Sequence, residues 1–120
     1  MIGNQKENKY DLEQRTFLFA KKVRAFVRTL SRSITNIEDT KQLIRSSGSI
    51  GANYIEANEA LSKKDFVMRI KISLKETKES RFWLELITCD TSESEKIRQE
   101  LVKESTELLL IFSTIVKKSF

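Results

Sequence analysis

A chain of 120 residues has room for one domain around one core, and 39 % hydrophobic with 32 % charged residues, three glycines and no proline favours long amphipathic helices. No apolar run approaches the ~20 residues of a bilayer span, the opening MIGNQKENKYD lacks the apolar centre of a signal peptide, and a single cysteine, Cys89, forbids an internal disulfide and makes a reducing cytoplasm the simplest compartment. The absence of histidine removes the commonest general base, most zinc sites and the Ser-His-Asp arrangement, while a net charge of +5 permits an anionic partner without requiring one.

Residues 1–10 are polar and read as a flexible N-terminal segment, with Tyr10 either disordered or docked on a neighbouring surface. Asp11 is the expected N-cap of a first helix running to about Ser33, and residues 11–120 form the single domain. At 100° per residue Leu12, Thr16, Phe19, Ala20, Val23, Phe26, Val27 and Leu30 share one arc, a core face. Lys21, Arg24, Arg28 and Arg32 fall on the opposite arc with Phe17 among them. From Asp11 to Ile34 there are six basic and two acidic residues, a net of +4. A solvated face is the plain reading of such a stripe, but an aromatic amid cations can also cover a partner chain or stack on a base.

Asn36 is placed to cap a second helix, with Glu38 and Asp39 near its positive end. Its first half crowds Ser46, Ser47, Gly48, Ser49, Gly51 and Ala52 into seven positions. Glycine costs about 1 kcal/mol relative to alanine inside a helix, so close packing is the natural compensation, and Gly48 and Gly51, one turn apart, would admit a neighbouring helix. Leu43, Ser47, Ile50, Tyr54, Ala57 and Leu61 make one apolar or small arc, and Ile37, Ile44, Gly48, Gly51 and Ile55 a second. The GSIG run is not a phosphate loop, since it lacks both a preceding strand and a following Gly-Lys-Ser/Thr.

After a turn near Leu61-Ser62, Ser62 and Asp65 are spaced as a capping box for a third helix to about Thr88. Phe66, Ile70, Ser73, Leu74, Thr77, Leu84 and Ile87 form its core arc. Met68, Ile72, Trp83 and Leu86 form another on nearly the opposite side, more than a lone bundle can bury, and with Phe17 they are the expected oligomer interface. Between the arcs run Lys64, Lys71, Lys75 and Lys78, a cationic strip that cyclic symmetry would multiply into a ring. Arg45, Asn53 and Glu56 on the second helix and Glu76, Glu79 and Arg81 on the third could be read as acid/base groups, but carboxylates one turn apart beside cations more often make a structural polar network. Ser92 and Glu95 are spaced as the cap of a fourth helix, whose core face is Ile97, Leu101, Leu108, Leu109, Phe112, Ile115 and Val116; Leu110 falls outside it. Its last turn carries Lys117 and Lys118, and from Asp90 onward five basic residues meet six acidic ones, so positive charge concentrates on helices one and three.

The runs RSSGSIGANYIEA, SKKDF, KISLKETKES and WLEL resemble the four-helix bundle proteins associated with 23S ribosomal RNA intervening sequences, from roughly Asp11 to the end of the chain. That resemblance implies an all-α, antiparallel up-down four-helix bundle, assembly into a ring-like homopentamer, and nucleic acid as partner. The family is similar in turn to the accessory bundles of diversity-generating retroelements, which are thought to assist a reverse transcriptase, and this implies an alternative role as a scaffold recruiting a nucleic-acid-handling protein. A third reading is a passenger of ribosomal RNA genes with no ligand. No cofactor, metal or membrane is expected, and no enzyme: a di-iron set needs Glu-x-x-His, absent here, and Cys89 near a helix end reads as a small apolar residue.

Overall fold

A computed structural model describes residues 2–120, with side chains from Leu12 onward. It contains four helices, α1 (Ile2–Val27), α2 (Ile34–Asn58), α3 (Lys63–Leu86) and α4 (Ser92–Lys118), and no strand among the described residues. α1 starts well before Asp11, which is interior to the helix and not its cap; only Gly3 and no proline stand between Ile2 and Asp11 to interrupt it. The expectations for Tyr10 and for a flexible segment over 1–10 fall on side chains outside those described.

The helix ends follow local hydrogen-bond chemistry. α1 stops at Val27 and not near Ser33, because the amides of Thr29 and Leu30 donate back only three residues, to the carbonyls of Phe26 (2.9 Å) and Val27 (3.2 Å), and the Thr29 hydroxyl also bonds Phe26 O at 2.7 Å. Ser33, not Asn36, caps α2, its hydroxyl accepting from the Asn36 amide. Asn36 instead lies buried and ties two loops together: its Nδ2 donates to Ser31 O and Thr88 O, each at 3.1 Å, and its Oδ1 accepts from the Thr88 amide at 3.3 Å. Ser62 caps α3, accepting from the Asp65 amide, and α3 ends at Leu86, two residues short of expectation. Thr91 caps α4 in place of Ser92, because its hydroxyl reaches the Ser94 amide at 3.0 Å; Glu95 is committed to Arg98 and Gln99.

Around the bundle α1 packs on α2, α2 on α3, α3 on α4 and α4 on α1, while the backbones of the diagonal pairs stay apart. The enclosed core includes Phe19, Val23, Phe26, Leu43, Ile50, Ile70, Leu84, Leu108 and Phe112, all fully or almost fully buried, each contributing about 1.5–3 kcal/mol by leaving water. Tyr54 meets Phe112 edge-on at 5.9 Å. Leu61, placed on the α2 core arc by periodicity, is instead 99 % exposed, because α2 ends at Asn58 and Leu61 lies in the following turn.

The seams differ in closeness. α2 and α3 meet through small side chains: Ser46 and Ser80 hydroxyls are 2.8 Å apart, and Ser73 donates to Ile50 O at 2.9 Å. At the α1–α2 seam a methyl group on Gly51 would come within 2.9 Å of Thr16 Oγ1, whereas one on Gly48 would meet only the flexible end of Arg24, at 3.4 Å. Gly51 alone is therefore required by close approach, since φ is not positive at either glycine. The α1–α4 seam is the thinnest; it leaves a groove of about 640 Å³, bridged by Arg15, which donates to Glu104 and Glu107.

Candidate nucleic-acid interface

Cationic side chains can hold phosphates only if carboxylates within the chain have not already claimed them. The ion pairs among the described residues join Arg15 to Glu104 and Glu107, Lys41 to Glu38, Arg45 to Glu76 and Glu79, Arg81 to Glu85, and Arg98 to Glu95. Lys64, Lys71, Lys75 and Lys78 take part in none of them, and all four are exposed. On a helix rising 1.5 Å per residue they span about 21 Å within an arc of roughly 60°.

The stripe expected on α1 fares differently. Lys21 and Arg28 are exposed, but Arg24 is half-buried, with Nη1 donating to Ala20 O of its own helix at 3.0 Å and Nη2 lying against Gly48. Arg32 is not on the helix at all, because α1 has ended; it sits in the loop, beside Ile37 and Ile44 of α2. α1 and α3 are diagonal in the bundle, so the chain presents its two cationic strips on separate flanks.

Of the residues expected to touch a second subunit, Phe17, Met68 and Leu86 are about half exposed and Ile72 is partly covered. Trp83 is likewise partly covered and packs against the core, with its Nε1 buried and without a hydrogen-bond partner among the described residues. Its neighbour Phe82 turns outward instead, 58 % exposed and edge-on to Trp83 at 5.1 Å. Phe120 returns from α4 to α3, where Lys71 Nζ lies 5.3 Å from its ring centre. Neither aromatic belonged to the expected site, although 100° periodicity alone places Phe82 on the lysine arc; Phe120 lies outside α3 and carries no such signal.

The polar network forms around the α2–α3 seam. Arg45 donates to both oxygens of Glu76, which is 8 % exposed, and to Glu79. Asn53 accepts from Arg69 at 3.0 Å. Arg81 turns along its own helix to Glu85, and Glu56 is exposed with no ion pair among the described residues. The carboxylates of Glu76 and Glu79 are thus oriented by the Arg45 guanidinium. Burial pushes the Cys89 thiol above its ordinary range, away from the reactive thiolate. Among the described residues no group of three or more Cys, Asp or Glu is placed to hold a metal ion, and no helix is long and apolar enough to cross a membrane.

These features define an all-helical bundle protein with a lysine strip on one flank that is unpaired among the described residues, and with six carboxylates, those of Glu76, Glu79, Glu85, Glu95, Glu104 and Glu107, engaged by arginines. The profile of the 23S rRNA-intervening sequence protein family matches residues 8–113, and the chain belongs to that family. It is similar to a crystal structure of a protein of unknown function from the S23 ribosomal protein family of Bacteroides thetaiotaomicron VPI-5482, at 30 % identity and a TM-score of 0.75, covering 88 % of this chain and 98 % of that one. No curated protein matches.

Proposed function

We propose that this chain is a non-enzymatic, cytoplasmic, homo-oligomeric bundle that binds the backbone of nucleic acid, chiefly through the lysine strip of α3. The observation that carries the reading is that Lys64, Lys71, Lys75 and Lys78 are exposed along one arc with no carboxylate partner among the described residues, while arginines hold most of the ion pairs found there. Four free ammonium groups on a convex helix face suit phosphates, which need charge and no shaped pocket.

The helices are proposed to run antiparallel in up-down order. Ser46 opposite Ser80, Ile50 opposite Ser73 and Asn53 opposite Arg69 support this for α2 and α3, since rising numbers on one meet falling numbers on the other. Assembly into a ring, a pentamer by analogy with the family, is supported by Leu86, Phe17 and Ile55, large apolar side chains left half exposed on α3 and along the α1–α2 groove. A ring would set the α3 strip of each copy into a continuous cationic belt.

The test is charge reversal. Lys71→Glu/Lys75→Glu/Lys78→Glu is expected to lose binding to a labelled 20-nucleotide RNA while keeping helical circular dichroism and sedimentation; unchanged affinity would remove the strip from the site. The second reading, a scaffold recruiting a nucleic-acid-handling protein such as a reverse transcriptase, draws on the open groove between α1 and α4. It is favoured if the protein shows no affinity for RNA or DNA at low salt yet pulls down such an enzyme through residues of that groove.

A further inference from the structure

Phosphate binding explains the lysines but leaves the aromatic rings among them without a purpose. Phe82 continues the α3 arc of Lys71, Lys75 and Lys78, about 16 Å beyond Lys71 at 1.5 Å per residue, and is 58 % exposed. Phe120 is 82 % exposed and sits beside Lys71, whose ammonium lies 5.3 Å from the ring centre. Its ring lines a groove of about 770 Å³ together with Met68, Ile72, Lys64, Lys75 and the carboxylate-bearing Asp65. Phe17 repeats the pairing on α1, 59 % exposed beside Lys21. An exposed phenylalanine makes no hydrogen bond and is hydrated at a cost; placed among cations it offers a flat π-face next to phosphate ligands.

Duplexes cannot use such a face. Their bases are stacked on one another, and a protein approaching from outside meets phosphates, sugars and base edges. A single strand presents both the charge and the free base faces, and stacking on an aromatic adds to phosphate contacts with little regard to sequence. We infer that the α3 strip is a single-strand site: Lys64, Lys71, Lys75 and Lys78 hold successive phosphates while Phe120 and Phe82 each stack a base. This rests on the nucleic-acid reading above and narrows it to unpaired RNA or DNA. Stacking is blind to the 2′-hydroxyl, so the shared chemistry is an unpaired polynucleotide and the two sugars are separate arms of the test.

Fluorescence anisotropy with labelled U20, dT20 and a 20-base-pair duplex, on the wild-type protein and on Phe120→Ala, Phe82→Ala and Phe82→Leu, tests this. At least one of U20 and dT20 is expected to bind about tenfold or more tighter than the duplex. Each Ala variant is expected to lose roughly five- to hundred-fold in affinity for the single strand while duplex affinity stays unchanged, and Phe82→Leu, which keeps the apolar bulk, is expected to lose as much as Phe82→Ala. Duplex binding as tight as single-strand binding, with all three variants silent, would overturn the inference and leave the nucleic-acid reading intact. No binding of any probe at 50 mM salt would overturn both. Sedimentation of the same variants guards against a different use of the rings: if Phe82→Ala and Phe120→Ala split the assembly, these residues cover a neighbouring copy and the stacking role falls.

Discussion

The two cationic strips begin as equals in the sequence and end unequal in the bundle. On α1, Lys21, Arg24, Arg28 and Arg32 step round the helix at three- and four-residue spacing, as regularly as the α3 lysines do. Yet Arg24 is spent on the carbonyl of Ala20 and the surface of α2, and Arg32 has left the helix. On α3 no carboxylate among the described residues pairs with Lys64, Lys71, Lys75 or Lys78. Spacing assigns a residue to an arc, whereas helix ends and neighbouring side chains decide whether it remains available.

The widest test of that difference is charge reversal on each strip in turn. Lys71→Glu/Lys75→Glu/Lys78→Glu is expected to weaken single-strand binding by about a thousandfold or more at low salt, since each lost phosphate contact also becomes a repulsion, whereas Lys21→Glu/Arg28→Glu is expected to weaken it less than tenfold. Comparable losses from the two variants, read by anisotropy, would erase the distinction between the strips. The loop that removes Arg32 from the α1 stripe depends on Asn36. Asn36→Ala removes three part-buried hydrogen bonds to the backbone of Ser31 and Thr88 and is expected to cost about 1–3 kcal/mol in urea unfolding.

The seam carrying the α1 strip gives a smaller effect, of opposite sign at its two glycines. Gly51→Ala forces a methyl group against Thr16 and is expected to destabilise by about 1 kcal/mol, overpacking exceeding the gain in helix propensity. Gly48→Ala displaces only the Arg24 guanidinium and is expected to stabilise by up to about 1 kcal/mol, and to loosen Arg24 toward solvent. Thermal melts that shift both variants in the same direction would contradict this account of the α1–α2 contact. Smallest is a pH effect. Hydrogen bonds first from Arg98 and then from Gln99 hold the Glu95 carboxyl below its ordinary range. A depressed native value means its contribution is present above the unfolded value near 4.5 and lost as pH falls below it. Glu95→Gln is therefore expected to flatten slightly the fall in stability from pH 5 to pH 3.

Much of the fold could be read from the chain because apolar periodicity is strong. The arcs through Phe19, Val23 and Phe26 on α1 and through Ile70, Thr77 and Leu84 on α3 are buried as their spacing requires. Helix ends are less legible, since Ser33, Asn36, Thr91 and Ser92 are all competent caps; a local bond to the Ser94 amide selects Thr91, and the tertiary contact with Thr88 takes Asn36 away from the role. The cationic strip on α3 was readable as an arc, but its availability was not, because that depends on where Glu76, Glu79 and Glu85 find their arginines. Phe120 could not be found by periodicity at all, for its place beside Lys71 is made by the packing of α4 on α3.

The most direct measurement is the salt dependence of single-strand affinity, with the wild-type protein and the α3 triple variant titrated side by side from 50 to 300 mM. Four lysines on four phosphates predict a log–log slope of about −3 for the wild type, and for the triple variant affinity too weak to measure across the range. A wild-type slope near zero, or two superimposable curves, would contradict the claim that α3 binds nucleic acid.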